Sequence, residues 1–265
     1  MRRMPFVLAL WAVAGILPAA GMAAELPACV PPVEVGRAPI VRVEKNGVLV
    51  LRDGRAVDLE GLLLPKGTRD HAPDFVAQQA VERLSSLTKG TDVTLRARVP
   101  KEDRYGRIRS QVFVHQDGGD VWLQELMLRE GLARVMIAPD RPECARELYA
   151  AEAEGRAARA GIWALSAYAV RTPDNLGGDI GTFQIVDGVV KNASLHDGRA
   201  YLNFGDDWRT DFTATVAPDD MKLFRAAGVA PVAYAGKKVE ARGIVQSLNG
   251  PEIELGAPDM IRELP

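Results

Sequence analysis

The stretch Asp103-Arg104-Tyr105-Gly106-Arg107 decides the fold prediction for this chain of 265 residues. Apolar residues alternate over positions 93–99 before it, and a strand-like run, Ile108 to Val114, follows it. The stretch is therefore predicted to be a turn between two strands, in which Gly106 supplies the backbone freedom that a tight turn needs. Arg107 carries a planar fork of donors that matches a phosphate group. The pattern predicts strands at about 92–99 and 107–115 with a phosphate-matching side chain at their junction.

Two helical segments follow this turn. Residues 121–130 are predicted to form a helix that ends at Gly131, and residues 141–160 a helix that ends at Gly161. Together with the turn, the segments Trp122 to Val135 and Ala151 to Trp163 resemble the staphylococcal-nuclease (thermonuclease) family. That resemblance implies a nuclease-like domain over residues 36–165, built as a five-stranded OB-type barrel with three helices.

The region before the turn also fits a barrel with helices. Short apolar runs between positions 41 and 64 are broken by the hairpin signals Asn46-Gly47 and Asp53-Gly54. A buried strand is expected from Gly61 to Leu64, stopped by Pro65, and a first helix from about Pro73 to Thr88. The fold class is therefore predicted as mainly β with α, that is, α+β.

The resemblance also implies a catalytic apparatus, which this sequence matches only in part. Members of the family use an acidic first turn and a loop Gly-Ile-Asp-x-Pro-Glu for calcium and the general base, with two arginines that clamp the phosphate. Arg107 matches the second arginine. Asp58 falls where the first arginine belongs, Leu63 where the metal aspartate belongs, and Lys66 where the general base belongs. Leucine has no oxygen for a hard cation, and an ammonium cannot accept a proton.

A site rebuilt from other acids is the alternative. Glu44 is a weak candidate for the acidic first turn, and Asp53, Asp58 and Glu60 could join it. Asp53 and Asp58 lie an odd number of residues apart, so in one continuous strand they would face opposite ways. We therefore predict no metal site and no cofactor, with Ca²⁺ needed only if the chain is an active nuclease.

The predicted function is a thermonuclease-like protein without efficient phosphodiesterase activity that acts in binding or in envelope structure. One alternative is an active or weak extracytoplasmic nuclease that uses Arg107 with displaced carboxylates. Arg107 could also be an ordinary turn residue held by Asp103. Tyr105 is either a ring packed over the turn or a ligand contact.

The C-terminal part is predicted to form a second small OB-like barrel. Residues 166–179 are interpreted as a linker and residues 180–265 as this second domain, because strand-like runs surround one helix at about 218–227. Most of its rings are assigned to the core; Trp208, beside Asp206-Asp207, is the candidate ligand contact. A second alternative function is therefore an oligosaccharide or peptide binder that works through this barrel.

Charge gives little support for a dedicated nucleic-acid binder, although nucleic acid or an envelope component remains a candidate partner. From Ile180 onward there are 9 basic and 12 acidic residues, a net −3. Without Arg2 and Arg3 the whole chain has 31 basic and 35 acidic residues, a net −4. Phosphate recognition usually needs an excess of positive charge.

The N-terminal segment predicts export. Arg2 and Arg3 precede an apolar run, Phe6 to Leu17, and then small residues up to Ala24, which is the pattern of a cleaved signal peptide over 1–24. No later segment is long and apolar enough to span a membrane, so a periplasmic or secreted protein is expected. Cys29 and Cys144 are then expected to form a disulfide; the alternative is a lipoprotein anchored at Cys29.

Overall fold

The computed structural model describes residues 26–116, 119–207 and 209–265. The predicted signal peptide and Trp208 lie outside these ranges. The first part of the chain contains eight strands and three α-helices in this order: β1 (Glu34–Val43), β2 (Leu49–Leu51), β3 (Ala56–Leu59), β4 (Leu62–Leu63), α1 (Phe75–Thr88), β5 (Asp92–Arg96), β6 (Ile108–Gln116), β7 (Gly119–Trp122), α2 (Leu123–Arg129), β8 (Arg134–Val135) and α3 (Ala145–Ala157).

Five of these strands close into a barrel, as predicted. β1 pairs antiparallel with β2 and with β5, β2 pairs with β3, and β5 pairs with β6. The parallel pairing of β3 with β6 completes the ring. β1 reaches both neighbours because its register shifts between Ile40 and Arg42, so that one half faces β5 and the other β2. This is the OB-type α+β fold that the resemblance implies.

The helices cover the barrel and extend its core. The face of α1 that carries Val76, Ala80 and Leu84 is buried, and the core continues through Met127 of α2 and Leu148 of α3. The element boundaries differ from the predictions in ways that local contacts explain. The first helix starts at Phe75 because Asp74 accepts a hydrogen bond from the Thr68 backbone and so belongs to the preceding turn. The first residues assigned to the second helix form β7 instead, paired with β6.

A disulfide joins Cys29 to Cys144, as predicted. Cys144 immediately precedes α3, so the bond ties the segment before β1 to the third helix. No helix within the described ranges has the length and apolarity needed to cross a bilayer.

The rest of the chain forms a second sheet around its own core. Its elements are β9 (Phe183–Val189), β10 (Asn192–His196), β11 (Arg199–Asn203), β12 (Thr213–Val216), α4 (Met221–Ala226), β13 (Lys238–Ser247), β14 (Pro251–Glu254) and β15 (Ile261–Glu263). The strand order is β10-β11-β12-β14-β13, with β9 on the other edge of β13 and β12 parallel to β14. If β9 and β10 are taken as two halves of one strand, the pairings follow the same order as in the first barrel.

The segment between the two sheets, interpreted as a linker, packs against both. The Tyr168 hydroxyl donates to Asp70 of the first part at 3.0 Å. The backbone of Arg171 pairs with Ile185 and Asp187 of β9, and its guanidinium binds Asp179. The two sheets are therefore joined by an ordered stretch rather than by an open tether.

Candidate functional site

Arg107 is held within its own turn. Its Nε donates to Asp103 Oδ2 at 2.8 Å, and its Nη2 lies 2.7 Å from the same oxygen. The other Asp103 oxygen accepts the backbone N–H groups of Tyr105 and Arg107. Burial pulls the pKa of Asp103 upward, but these hydrogen bonds outweigh it and leave the pKa below its ordinary value. Gly106 has φ +74°, the left-handed conformation that the turn requires.

A second carboxylate faces Arg107 from the neighbouring strand. Asp58 lies opposite Arg109 in the parallel pairing of β3 with β6, and its Oδ2 is 3.8 Å from Arg107 Nη2. Burial raises the pKa of Asp58, and the Arg107 charge opposes that rise. The guanidinium predicted to meet a phosphate is therefore met by two acidic side chains of the protein.

A buried charge cluster lies next along the same two strands. Glu60, two residues after Asp58, has a side chain only 7% exposed, and its Oε1 lies 3.5 Å from Arg141 Nε. Arg109 forms a two-pronged ion pair with Asp140 at 3.0 and 2.5 Å. Burial raises the pKa of Glu60 to about 7, against the opposing charges of Arg141 and Arg109.

Part of this cluster could have been found from the sequence. Asp58 with Glu60, and Arg107 with Arg109, have the two-residue spacing that places side chains on one face of a strand. Asp140 and Arg141 come from the segment before α3, and no local pattern brings them to this face. Sequence analysis therefore missed Arg109, Asp140 and Arg141.

The loop predicted to correspond to the family's metal and base loop begins with a buried strand. Leu62 and Leu63 form β4, which pairs with β8. Leu63 is 8% exposed and packs in a cluster with Phe183 and Ile185 of β9. The second sheet therefore covers the position at which the metal aspartate was expected.

Lys66, which is predicted to occupy the position of the general base, lies on the surface. Its backbone N–H donates to Asp70 Oδ2 at 2.8 Å, which fixes the end of the loop. Leu63 and Lys66 thus lie in opposite environments, and the loop brings neither a metal ligand nor a proton acceptor to Arg107.

Buried arginines join the covered loop to the second sheet. Arg134 of β8 donates to the Phe183 carbonyl at 2.6 Å and to Asp70 at 3.2 Å, and its guanidinium lies 4.9 Å from the centre of the Tyr168 ring. Burial lowers the pKa of Arg134, against the opposing charge of Asp70.

A larger ion network lies beside it. Arg242 of β13 donates to Glu152 of α3 at 2.9 Å and also contacts Glu240. Glu240 in turn accepts from Arg156 at 2.6 Å and from Arg262 at 2.9 Å. Burial alone would raise the pKa of Glu240, but Arg242 and its neighbours lower it to about 2. Sequence analysis did not identify this network, because its members are up to 110 positions apart.

The remaining candidate site residues of the first part are Glu44 and Tyr105. Glu44 is partly exposed and pairs with Arg42 at 3.3 Å. Within residues 26–116, 119–207 and 209–265, no group of three or more His, Cys, Asp or Glu side chains could hold a metal ion. The Tyr105 ring is 68% exposed and lies 5.0 and 5.2 Å from the guanidinium groups of Arg104 and Arg107.

The first part of the chain is a closed five-stranded OB-like barrel with three helices, and its arginine turn lies between β5 and β6. Residues 63–165 match the family model described as staphylococcal nuclease homologue, so this part of the chain is similar to that family. The match begins within β4, and the structure adds β1, β2 and β3, which complete the barrel. A comparison with curated proteins finds no match for the chain.

Proposed function

We propose that the chain is an exported nuclease-fold protein without efficient phosphodiesterase activity, which acts as a binding or structural protein of the cell envelope. The observation that carries the proposal is the environment of Leu63. The leucine at the expected metal position packs against Phe183 and Ile185 and has no oxygen to offer a hard cation.

The chemistry of phosphodiester hydrolysis supports the same conclusion. Water must be activated by a base, and the charge that develops on the phosphate oxygens must be stabilised. Loss of a general base costs about 10²–10⁴ in rate, and loss of one preorganised charge stabiliser costs a further factor of about 10²–10³. Lys66 replaces the base, and Asp58 replaces the first arginine. The remaining Arg107 is paired with Asp103.

One observation supports the alternative of a weak nuclease. Glu60 is an acid with a pKa raised to about 7, mainly by burial, which is a suitable value for a general base. Its neighbours Arg141 and Arg109 enclose it, however, and the side chain is almost wholly buried. A water molecule attacking a phosphate would need to reach this carboxylate, so we favour the non-catalytic role.

The cellular setting and the domain limits belong to the same proposal. The Cys29–Cys144 disulfide supports an oxidising compartment outside the cytoplasm. We take residues 1–24 as the signal peptide, 36–165 as the nuclease-like domain, 166–179 as the connection and 180–265 as a second OB-like barrel. Periplasmic or secreted localisation follows from that signal peptide.

Calcium titration into the mature protein tests the metal part of the proposal. We expect isothermal titration calorimetry to give no saturable heat, because the described carboxylates nearest Arg107 are neutralised by arginines. Asp58→Asn serves as the matched variant, since the Asp58 side chain is more exposed than those of Asp103 and Glu60. Saturable calcium binding that Asp58→Asn abolishes would contradict the proposal.

A further inference from the structure

The outer face of the second sheet carries an open groove of about 730 Å³. Strands β10, β11, β12 and β14 form its floor, and the turn at Asp197 and the loop at Leu248-Asn249 border it. Grooves of this volume are typical of small-molecule sites. The strand face and bordering loops of OB-type barrels are where oligonucleotides and oligosaccharides bind. The groove lies on the second sheet, whereas Arg107 belongs to the first barrel.

Polar side chains, most of them uncharged, form rows across the strands of this groove. Asn192 lies opposite Asn203, Asn203 opposite Thr213, and Thr213 opposite Glu252. In the next row Ser194 lies opposite Tyr201, and Tyr201 opposite Thr215. Side chains two positions apart share a strand face, so both rows point to the same side of the sheet.

The side chains along the groove offer several groups to a ligand. Asn192, Ser194 and Tyr201 line it with amide and hydroxyl groups, which both donate and accept hydrogen bonds. Glu252 is 95% buried by residue and accepts one bond, from Thr215 Oγ1 at 3.0 Å. Amide, hydroxyl and carboxylate groups therefore line the groove with donors and acceptors ready for a ligand.

The charges of the groove argue against a phosphate chain. Its one arginine, Arg199, is paired with Glu254 at 2.7 Å. Asp197 and Glu252 line the groove as acids, and His196 and Tyr201 also line it. Single-stranded nucleic acid needs a positive groove in addition to stacking rings. This groove supplies an aromatic ring, Tyr201, without that positive charge.

We propose that this groove binds the neutral sugar units of an oligosaccharide. Vicinal hydroxyls both donate and accept, which matches the rows of amides, hydroxyls and the Glu252 carboxylate. The apolar face of a sugar ring can lie on Tyr201, whose ring is partly exposed at the centre of the floor. The inference goes beyond the proposed loss of hydrolysis and does not depend on it, because it concerns a different surface.

The test is calorimetric titration of the full mature chain with maltohexaose, cellohexaose and N-acetylchitohexaose. We expect at least one of them to bind, and Tyr201→Ala to weaken that binding by about tenfold or more. Tyr201→Phe keeps the ring and should bind within about threefold of wild type. Ile244→Ala, an exposed position on β13 away from the groove lining, serves as a surface control that leaves binding unchanged. Circular dichroism and thermal unfolding verify that each variant is folded.

Three results would overturn the inference. The first is that none of the three sugars binds. The second is binding that Tyr201→Ala leaves unchanged, since the sugar would then occupy another surface. The third is salt-sensitive binding of a short oligothymidylate that Tyr201→Ala abolishes, which would make the groove a nucleic-acid site. None of these results bears on calcium binding or hydrolysis at Arg107, so failure of this inference is distinguishable from failure of the proposed function.

Discussion

Arg107 lies in the predicted turn, and its charge is paired with carboxylates of the protein. The turn 103–107 has the predicted strand–turn–strand setting, and Gly106 has the predicted left-handed backbone. The side chain, however, is bound by Asp103 and lies near Asp58. A phosphate would have to compete with both carboxylates for the guanidinium. The carboxylates have the advantage, because they belong to the same chain and lose no translational entropy on pairing.

Glu60 gives the clearest pH prediction at the scale of single residues. Its pKa rises from an ordinary value of 4.5 to about 7, mainly through burial, so the folded protein holds this proton more tightly than the unfolded chain. The associated stability is fully present below pH 4.5 and is lost as the pH rises through about 7. The loss amounts to about 2–3 kcal/mol between mildly acidic and mildly alkaline pH.

Glu60→Gln should therefore flatten the decline in stability with rising pH. Urea unfolding of wild type and variant on both sides of pH 7 measures the difference. We expect the variant to gain stability relative to wild type as the pH rises, because glutamine has no proton to lose. Glu44→Gln, at a partly exposed acid, is the matched control and should leave the pH profile unchanged. Parallel pH profiles for wild type and Glu60→Gln would show that Glu60 titrates normally.

At the scale of elements, the short strand β4 contains Leu63, the position at which the metal ligand was expected. The sequence predicts a buried strand at 61–64, and the structure places Leu62 and Leu63 in it. The sequence does not reveal what buries Leu63, because Phe183 and Ile185 lie more than a hundred positions further along the chain. The loop is thus fixed by β8 on one side and by the second sheet on the other.

Placing the expected metal ligand back into this loop should damage the fold. Leu63→Asp would bury an unpaired carboxylate among apolar side chains and remove a packed leucine, for a loss of at least about 3 kcal/mol in unfolding free energy. Lys66→Glu changes an exposed side chain in the same loop and should alter stability by about 0.5 kcal/mol or less. Denaturant unfolding of the two variants measures both values. Equal stabilities would mean that Leu63 is not part of the packed contact with β9.

At the scale of the whole molecule, two sheets of similar strand order pack through a charged contact. Arg242 and Glu152 are both almost fully buried and bridge the two parts at 2.9 Å. Removal of one member of such a pair leaves an uncompensated charge in the interior, and this typically costs about 3–5 kcal/mol. The network therefore fixes how the second sheet lies over β4 and β8, although it adds little net stability over an apolar contact.

The sequence predicts the individual elements better than the contacts between distant segments of the chain. The strands and helices of the first part follow from local patterns, its closure into a barrel from the family resemblance, and the disulfide from the two cysteines; the structure confirms all three. Prediction of the polar rows of the groove would require the register of four strands. Turn lengths and alternation do not fix that register across a parallel pair. The covering of Leu63 and the Arg242 network depend on contacts between distant segments of the chain. Local patterns carry no information about such contacts.

Digestion of single-stranded and plasmid DNA by the purified mature protein in calcium measures whether the protein hydrolyses phosphodiesters. We expect only a background rate of cleavage, equal for wild type and Arg107→Ala, because Leu63, Lys66 and Asp58 occupy the positions predicted for the metal ligand, the base and the first arginine. The Arg107→Ala variant separates true activity from a contaminating nuclease, since a contaminant does not respond to the substitution. Calcium-dependent cleavage by wild type that falls about a hundredfold or more in Arg107→Ala would show that the protein is an active nuclease.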